Sequence, residues 1–255
     1  MDTMDFPRSL ITALALSIGM TTAASAAGPI ETLYDGNGSP AAQGWSAGGG
    51  GTQLPSEGIT QFMTANDTNR TSQFQYFQHA TGATDYIASI RLLVVSSSYN
   101  SMDAALTFNP FNVLLTPASR ANTFMIGNDV VVWGDLQGAS HTLDTNIFHD
   151  YAFRYNGGKL DLYIDASFAD IASGTASAVL SRTLTDPVFG TLSGGITWGD
   201  ATNDFGYDSN YLVDNVKFQD LGAVSPVPEP STYAMMGLGL AGLLLGTRRR
   251  GGRAS

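Results

Sequence analysis

Between about residues 28 and 222, short runs of Val, Ile, Phe and Tyr alternate with Gly, Asn, Asp and Ser, and no helical periodicity is sustained. Alternation of this kind is typical of a β-sandwich or barrel. The predicted strands are numerous enough to favour two stacked sheets over one. They cover 59–64, 72–78, 87–95, 104–108, 112–115, 123–126, 130–133, 147–155, 159–164, 178–184, 195–198 and 211–218.

The clearest hairpin joins residues 151–155 to residues 159–165 through an Asn-Gly-Gly turn at 156–158. Glycines supply the positive φ angles that a tight connection needs. Side chains alternate between the two faces of a strand, so the even-numbered apolar residues of the second arm share a face. We therefore expect Leu162 in the core and Asp161 on the opposite face, where its replacement should cost little.

The hairpin strand Leu-Asp-Leu-Tyr-Ile-Asp at 160–165, together with 196–202 and 211–216, resembles the concanavalin-type jelly roll. That fold occurs in lectins, laminin-G modules and many exported bacterial proteins. The resemblance implies an all-β body at 28–222, built as a two-sheet, concanavalin A-like jelly-roll sandwich. A fold of this kind implies no activity by itself.

The first residues have the layout of a secretory signal peptide. Arg8 precedes an apolar run at 10–20, and small residues follow, with an A-x-A cleavage motif at Ala24 and Ala26. We predict a signal peptide over 1–26, recognised by the Sec translocon and signal peptidase. A buried N-terminal helix is the alternative.

Three segments follow the body: a Pro-rich linker at 223–232, an apolar stretch at 233–247 and a basic tail at 248–255. We predict that 233–247 is a short transmembrane helix. Fifteen helical residues span about 22 Å, less than the roughly 30 Å hydrocarbon core, and snorkelling arginines with local thinning can make up the difference. Basic residues favour a cytoplasmic location for the tail.

The order of a Pro-Glu-Pro motif, a Gly/Leu helix and an Arg cluster resembles the bacterial PEP-CTERM sorting signal, which exosortase reads. The motif residues here are Val227, Pro228, Glu229, Pro230, Arg248, Arg249 and Arg250. The resemblance implies transient anchoring in the inner membrane of a Gram-negative bacterium. Proteolysis near the motif would then transfer the body to the cell surface or extracellular matrix. A plain tail anchor is the alternative.

Charge is scarce and unevenly placed. Charged residues make up 13% of the chain, against about 25% in typical globular proteins. Residues 1–26 sum to −1 and residues 226–255 to +3, which leaves −12 for the body within the total of −10. An acidic body repels phosphate backbones, so nucleic acid is not an expected partner.

No catalytic residue is predicted. The Glu-x-Asp-x-x-Glu strand motif of jelly-roll glucanases is missing, and the body contains two glutamates, Glu31 and Glu57, in loop-like sequence. A Gly-x-Ser-x-Gly match at 44–48 precedes a glycine run and is interpreted as a loop, because a nucleophile elbow needs a strand before it and a helix after it. An Asp pair can still supply hydrolytic carboxylates, so a secreted glycan-active hydrolase remains open.

Two kinds of binding residue are candidates. Asp200, Asp204 and Asp208 lie in a Gly- and Asn-rich stretch that can supply calcium with carboxylate and carbonyl oxygens, although a solvated acidic loop explains them too. Trp133 and Trp198 can stack on sugar rings, although core packing is the commoner fate of tryptophan in a sandwich. Calcium is therefore a candidate cofactor, and extracellular polysaccharide a candidate ligand, of a non-enzymatic surface protein, while the solvated loop stays the favoured interpretation of the aspartates.

Overall fold

The computed structural model describes residues 27–64, 74–97, 106–109, 123–183, 195–200 and 208–222, with the backbone alone at 106–109. The predictions at 1–26, 112–115 and 223–255 lie outside these residues. Within the described ranges, no helix is long and apolar enough to cross a membrane.

The described residues form fifteen strands, one 3₁₀ turn at Pro40–Gln43 and one short helix, α1 (Phe168–Ser173). The strands are β1 (Glu31–Tyr34), β2 (Ser46–Gly49), β3 (Thr52–Ser56), β4 (Ile59–Met63), β5 (Gln75–Ala80), β6 (Asp85–Ser97), β7 (Leu106–Asn109), β8 (Phe124–Gly127), β9 (Val130–Trp133), β10 (Ser140–Thr142), β11 (His149–Asn156), β12 (Lys159–Ile164), β13 (Leu180–Thr183), β14 (Gly195–Asp200) and β15 (Ser209–Asp220).

These strands form two antiparallel sheets. The eight-stranded sheet has the order β13-β12-β11-β6-β15-β4-β3, and β1 pairs with the second half of β15 beside β4. The seven-stranded sheet has the order β10-β9-β8-β7-β14-β5-β2. Their inner faces share one apolar core. The predicted all-β, two-sheet sandwich is confirmed.

The predicted hairpin is also confirmed. In the pairing of β11 with β12, Tyr155 lies opposite Leu160, and Gly157 and Gly158 turn the chain with φ angles of 54° and 97°. Leu162 is fully buried between the sheets. The opposite face of β12 was expected to be solvated, but it is largely buried.

Asp161, on that opposite face, is 8% exposed. It accepts a hydrogen bond from the Ser181 hydroxyl on β13 and pairs with Lys159 at 2.8 Å. Tyr163 is buried as well, because α1 packs over this face of the sheet. The expectation that replacing Asp161 costs little assumed an exposed side chain. That assumption is wrong, because neighbouring residues cover Asp161.

Four strands were absent from the sequence prediction, namely β1, β2, β3 and β10. Three of these, β2, β3 and β10, lie at the ends of their sheets. Edge strands tolerate glycine, proline and hydroxyl residues, so their sequences carry little strand propensity. The loop interpretation of residues 44–48 is accordingly wrong, since Ser46–Gly49 pairs with β5. A Cβ at Gly48 would lie 2.2 Å from the ring of Tyr76, so a larger residue there requires that half-buried ring to move.

Candidate functional site

Trp198 and Trp133, the tryptophans considered for glycan contact, lie in the core. Trp198 is fully buried and Trp133 is 2% exposed. The ring of Phe124 lies 4.6 Å from that of Trp133, and the Arg182 guanidinium lies 4.2 Å from its centre. Neither indole therefore offers a face to a sugar. The glycan-contact hypothesis is wrong for both residues, and the alternative of core packing is correct.

The predicted calcium ligands are only partly brought together. Asp200 ends β14 and is 1% exposed, and its Oδ2 accepts hydrogen bonds from the hydroxyls of Thr64 (2.8 Å) and Ser209 (3.4 Å). Asp208 precedes Ser209 at the same end of the sandwich, whereas Asp204 lies outside the described residues. Within the described part of the chain, no three His, Cys, Asp or Glu side chains are grouped to hold a metal ion.

A cavity of about 290 Å³ lies at the C-terminal end of β5, where this strand approaches β1 and the end of β15. Asp200 is paired with the other end of β5. We call it the rim cavity; its polar side chains include Glu31, His79 and Asp220, and its apolar ones include Leu33 and Phe218. Glu31 lies directly opposite Phe218 in the strand pairing, and Asp220 follows two residues later. The two carboxylates therefore share one face of the eight-stranded sheet.

The cavity wall is fixed by hydrogen bonds. The Gly28 amide donates to the Asp220 carbonyl at 2.7 Å, and the Gln219 side chain donates to the Gly28 carbonyl at 2.9 Å. On the other wall, the ring of His79 lies 5.2 Å from that of Trp45, whose indole N–H donates to the Leu33 carbonyl at 2.8 Å. These contacts hold the imidazole and both strands that carry the carboxylates.

The rim cavity combines two carboxylates and an imidazole with an apolar floor. Such a set can hydrogen-bond the hydroxyls of a bound molecule while apolar side chains contact its carbon skeleton. A carboxylate pair can also serve acid–base chemistry. The sequence analysis missed this site because β1 was interpreted as a loop and because Glu31, His79 and Asp220 share no local spacing.

A second cavity, of about 390 Å³, lies on the outer face of the eight-stranded sheet beneath the start of α1. We call it the helix cavity. Its sheet side carries Ser89, Asp150 and Lys217, and the helix side carries Phe168 and Ala169. Ser89 and Lys217 lie directly opposite each other in the pairing of β6 with β15. The cavity is thus a mainly apolar space with a small number of polar groups, most of them on the sheet wall.

The tyrosines with raised pKa values lie outside both cavities. Burial raises the pKa of Tyr34 to about 12, and it raises the pKa values of Tyr86, Tyr151 and Tyr211 well above their ordinary value. All four side chains are almost completely buried between the sheets. Their shifts follow from packing and do not indicate a reacting group.

The predicted cleavage residues Ala24 and Ala26, and the predicted sorting residues at 227–230 and 248–250, lie outside the described residues. The sequence of this tail decides its nature, because residues 226–250 match the PEP-CTERM protein-sorting motif. The tail is a PEP-CTERM sorting motif. It indicates an exported, membrane-processed protein whose processing partner is an exosortase. No curated protein matches this chain.

Solved structures resemble the sandwich of this chain at low identity. The exoplasmic/lumenal domain of VIP36, in its Ca²⁺/Man3GlcNAc-bound form, is 12% identical with a TM-score of 0.46, covering 78% of this chain and 91% of its own. A glycosyl hydrolase family protein from Mycobacterium fortuitum is 11% identical, with a TM-score of 0.38, over 65% of this chain and 76% of its own.

A third structure, GH43B of a Bacteroides ovatus xyloglucan locus, is 11% identical with a TM-score of 0.42, covering 64% of this chain and 33% of its own. At these identities the likeness concerns the fold alone. The chemistry of this chain therefore has to be argued from its own cavities.

Proposed function

We propose that this chain is a non-enzymatic protein of the cell surface or biofilm matrix of a Gram-negative bacterium, and that its sandwich binds extracellular polysaccharide. The sorting motif at 226–250 supports export and processing by an exosortase. Binding is assigned to the rim cavity, whose lining is the single observation that carries the proposal. The signal peptide over 1–26 and the anchor over 233–247 complete the proposed route.

The rim cavity suits a neutral glycan unit. A sugar ring presents hydroxyls around its edge and C–H groups on its faces. Glu31 and Asp220 can accept hydrogen bonds from hydroxyls, His79 can accept or donate, and Leu33 and Phe218 can contact the C–H face. Pockets of this kind fix orientation with few polar groups and gain affinity from apolar contact.

Hydrolysis is the second candidate, because Glu31 and Asp220 share one face of the sheet within the same cavity. Glycosidases place two carboxyl groups about 5–10 Å apart across the scissile bond. Against this candidate, Glu31 is exposed, whereas a general acid is usually kept protonated by apolar surroundings. Binding without turnover is therefore the proposed activity.

A glycan array probed with the full chain tests both candidates. We expect retained binding of one class of polysaccharide, without release of reducing ends on prolonged incubation. Glu31→Gln and Asp220→Asn should each weaken that binding. Glu57→Gln is the matched control, since Glu57 lies in an exposed turn that does not line the cavity.

Release of reducing ends that both cavity variants abolish would establish the hydrolase instead. Binding that both variants leave unchanged would show that the rim cavity is not the glycan-binding site. Either result is independent of the sorting motif, because the substitutions lie in the sandwich.

Calcium is a separate proposal, with Asp200, Asp204 and Asp208 as its ligands. Its support is that Asp200 and Asp208 lie at one end of a body with a charge of −12, where a hard cation would reduce repulsion. A ligand that binds the native state alone stabilises it. Millimolar CaCl₂ should raise the melting temperature beyond NaCl of matched ionic strength, and Asp204→Asn with Asp208→Asn should abolish the increment. Equal melting temperatures in the two salts would exclude the site.

A further inference from the structure

Lys217 differs from the other cations of the described residues in having no carboxylate partner. Arg91 pairs with Asp150 and Asp214, and the remaining three pair equally closely. Those three are Arg154 with Asp85, Lys159 with Asp161, and Arg182 with Asp135. Among the residues that the structure describes, Lys217 has neither an ion pair nor a side-chain hydrogen bond. In a body with a charge of −12, an unpaired lysine is unexpected.

Lys217 shares the wall of the helix cavity with two other polar residues. The residue lies on the central strand β15 and lines the helix cavity, where the directly opposite residue on β6 is Ser89. Ser89 is 3% exposed. Asp150 lines the same wall, and its Oδ2 accepts from Arg91 at 3.0 Å, which leaves Oδ1 without a partner among the described residues. The side chains of Lys217, Ser89 and Asp150 therefore line one space.

The opposite wall is mainly apolar, and the hydroxyl of Ser167 on that wall is held by hydrogen bonds with the carboxylate and amide of Asp170. Phe168 and Ala169 of α1 close the cavity on one side, and Ile30, which is 52% exposed, borders it on the other. Phe168 packs against the apolar cluster beneath α1 and is thereby held in place. At about 390 Å³ the cavity falls within the usual range for small-ligand sites, roughly 300–1,000 Å³.

We propose that the helix cavity binds a carboxylated sugar unit, such as a uronic acid residue, with Lys217 on the carboxylate. A uronic acid ring presents a carboxylate, several hydroxyls and an apolar C–H face together. Lys217 matches the first, Ser89 and Asp150 match the second, and Phe168 matches the third. The site is separate from the rim cavity and does not depend on binding there.

The acidic charge of the body does not prevent this contact. Repulsion between charges separated by more than the Debye length, about 8 Å at physiological salt, is largely screened. A charge-assisted hydrogen bond within a partly desolvated cavity acts at contact distance and is screened much less. Asp150, the carboxylate that lines the cavity itself, is paired with Arg91 at 3.0 Å, which offsets its charge. The contact with Lys217 therefore outweighs the remaining, more distant carboxylates.

Calorimetric titration of the full chain with tri-galacturonate, its methyl ester and sodium acetate tests the proposal. We expect binding of the uronate, with the ester and Lys217→Met each weaker by roughly tenfold or more, because a hydrogen bond to a charged group is lost. Acetate should bind weakly or not at all, since it lacks the ring. Ala169→Trp, which fills the cavity from an exposed position without changing charge, should also weaken binding.

Lys159→Met is the matched control, because it removes the same charge from β12, outside the cavity. It should change the affinity less than twofold, since an exposed charge away from the ligand contributes little to binding. Circular dichroism of each variant checks the fold. Equal binding of uronate and ester, equal losses in the two lysine variants, or no uronate binding at all would overturn the proposal. None of these results bears on Glu31 and Asp220, so the rim cavity is judged separately.

Discussion

The indole of Trp198 packs against the phenyl ring of Phe77, with 4.5 Å between ring centroids, at directly paired positions of β14 and β5. Both side chains are fully buried. The rings of Tyr34, Trp45 and Phe62 also surround Trp198, with centroids 5.2–5.8 Å from it. This pair is therefore the centre of an aromatic core that joins the two sheets.

Replacing Trp198 should destabilise the fold without a specific effect on ligands. Trp198→Ala removes a large buried ring and should cost about 3–5 kcal/mol in the free energy of unfolding. Trp198→Phe should cost less, because it keeps an aromatic contact with Phe77 and removes an indole N–H that has no hydrogen-bond partner in the described structure. Urea unfolding measures both. A Trp198→Phe protein of normal stability that no longer binds glycan would contradict this assignment.

Neighbouring residues of β12 should respond to substitution for different reasons. Leu162→Ala leaves a core cavity and should cost about 2–5 kcal/mol. Asp161→Ala leaves the Ser181 hydroxyl without its acceptor and should cost about 1–3 kcal/mol. Lys159→Met should stay within about 0.5 kcal/mol, because its ion pair is more than half exposed on the lysine side. An Asp161→Ala protein as stable as the native one would show that this face is solvated.

Buried tyrosines should make the protein lose stability in alkali. Burial raises the folded-state pKa of Tyr151 above its ordinary value of 10, so above about pH 10 the unfolded chain releases a proton that the folded chain retains. The free energy of unfolding is therefore constant in this respect below pH 10 and falls as the pH rises beyond it. Denaturant melts from pH 8 to pH 11.5 follow the decline.

Tyr151→Phe and Tyr34→Phe form a matched pair for that test. The Tyr151 hydroxyl has no hydrogen-bond partner in the described structure, so Tyr151→Phe should be neutral or stabilising at pH 7 and should reduce the alkaline loss. Tyr34 donates to the Gly38 carbonyl at 2.9 Å, so Tyr34→Phe should cost about 1 kcal/mol at pH 7 while also reducing the alkaline loss. Identical pH 7 stabilities with an unchanged alkaline slope would contradict both statements.

The strands that the sequence predicted best are those with a strand-like residue pattern bounded by clear turn residues. β9 and β12 match their predicted bounds because β9 consists of β-branched and aromatic residues, β12 alternates apolar with polar residues, and Gly or Asp turns flank both. β2 was missed because Ser-Ala-Gly-Gly has little strand propensity, and its pairing with β5 is a tertiary contact. A non-local pairing of this kind leaves no trace in the local pattern.

The candidate sites were harder to predict for the same reason. Glu31 and His79 belong to strands in different sheets, and their proximity follows from sheet stacking. That Lys217 alone among the described cations lacks a carboxylate partner is also a tertiary property. The other cations find partners far away in the sequence, as Arg154 does with Asp85. By contrast, the sorting tail was predictable because its motif is continuous in the sequence.

The route to the cell surface is the central claim, and intact-mass spectrometry of the protein recovered from its native host tests it most directly. We predict a mature chain that begins at Ala27 or Gly28, after the A-x-A site, and that lacks Arg248–Arg250, because processing occurs near Pro228-Glu229-Pro230. Recovery of the complete C-terminus, still embedded in the membrane of a strain with active exosortase, would contradict the account.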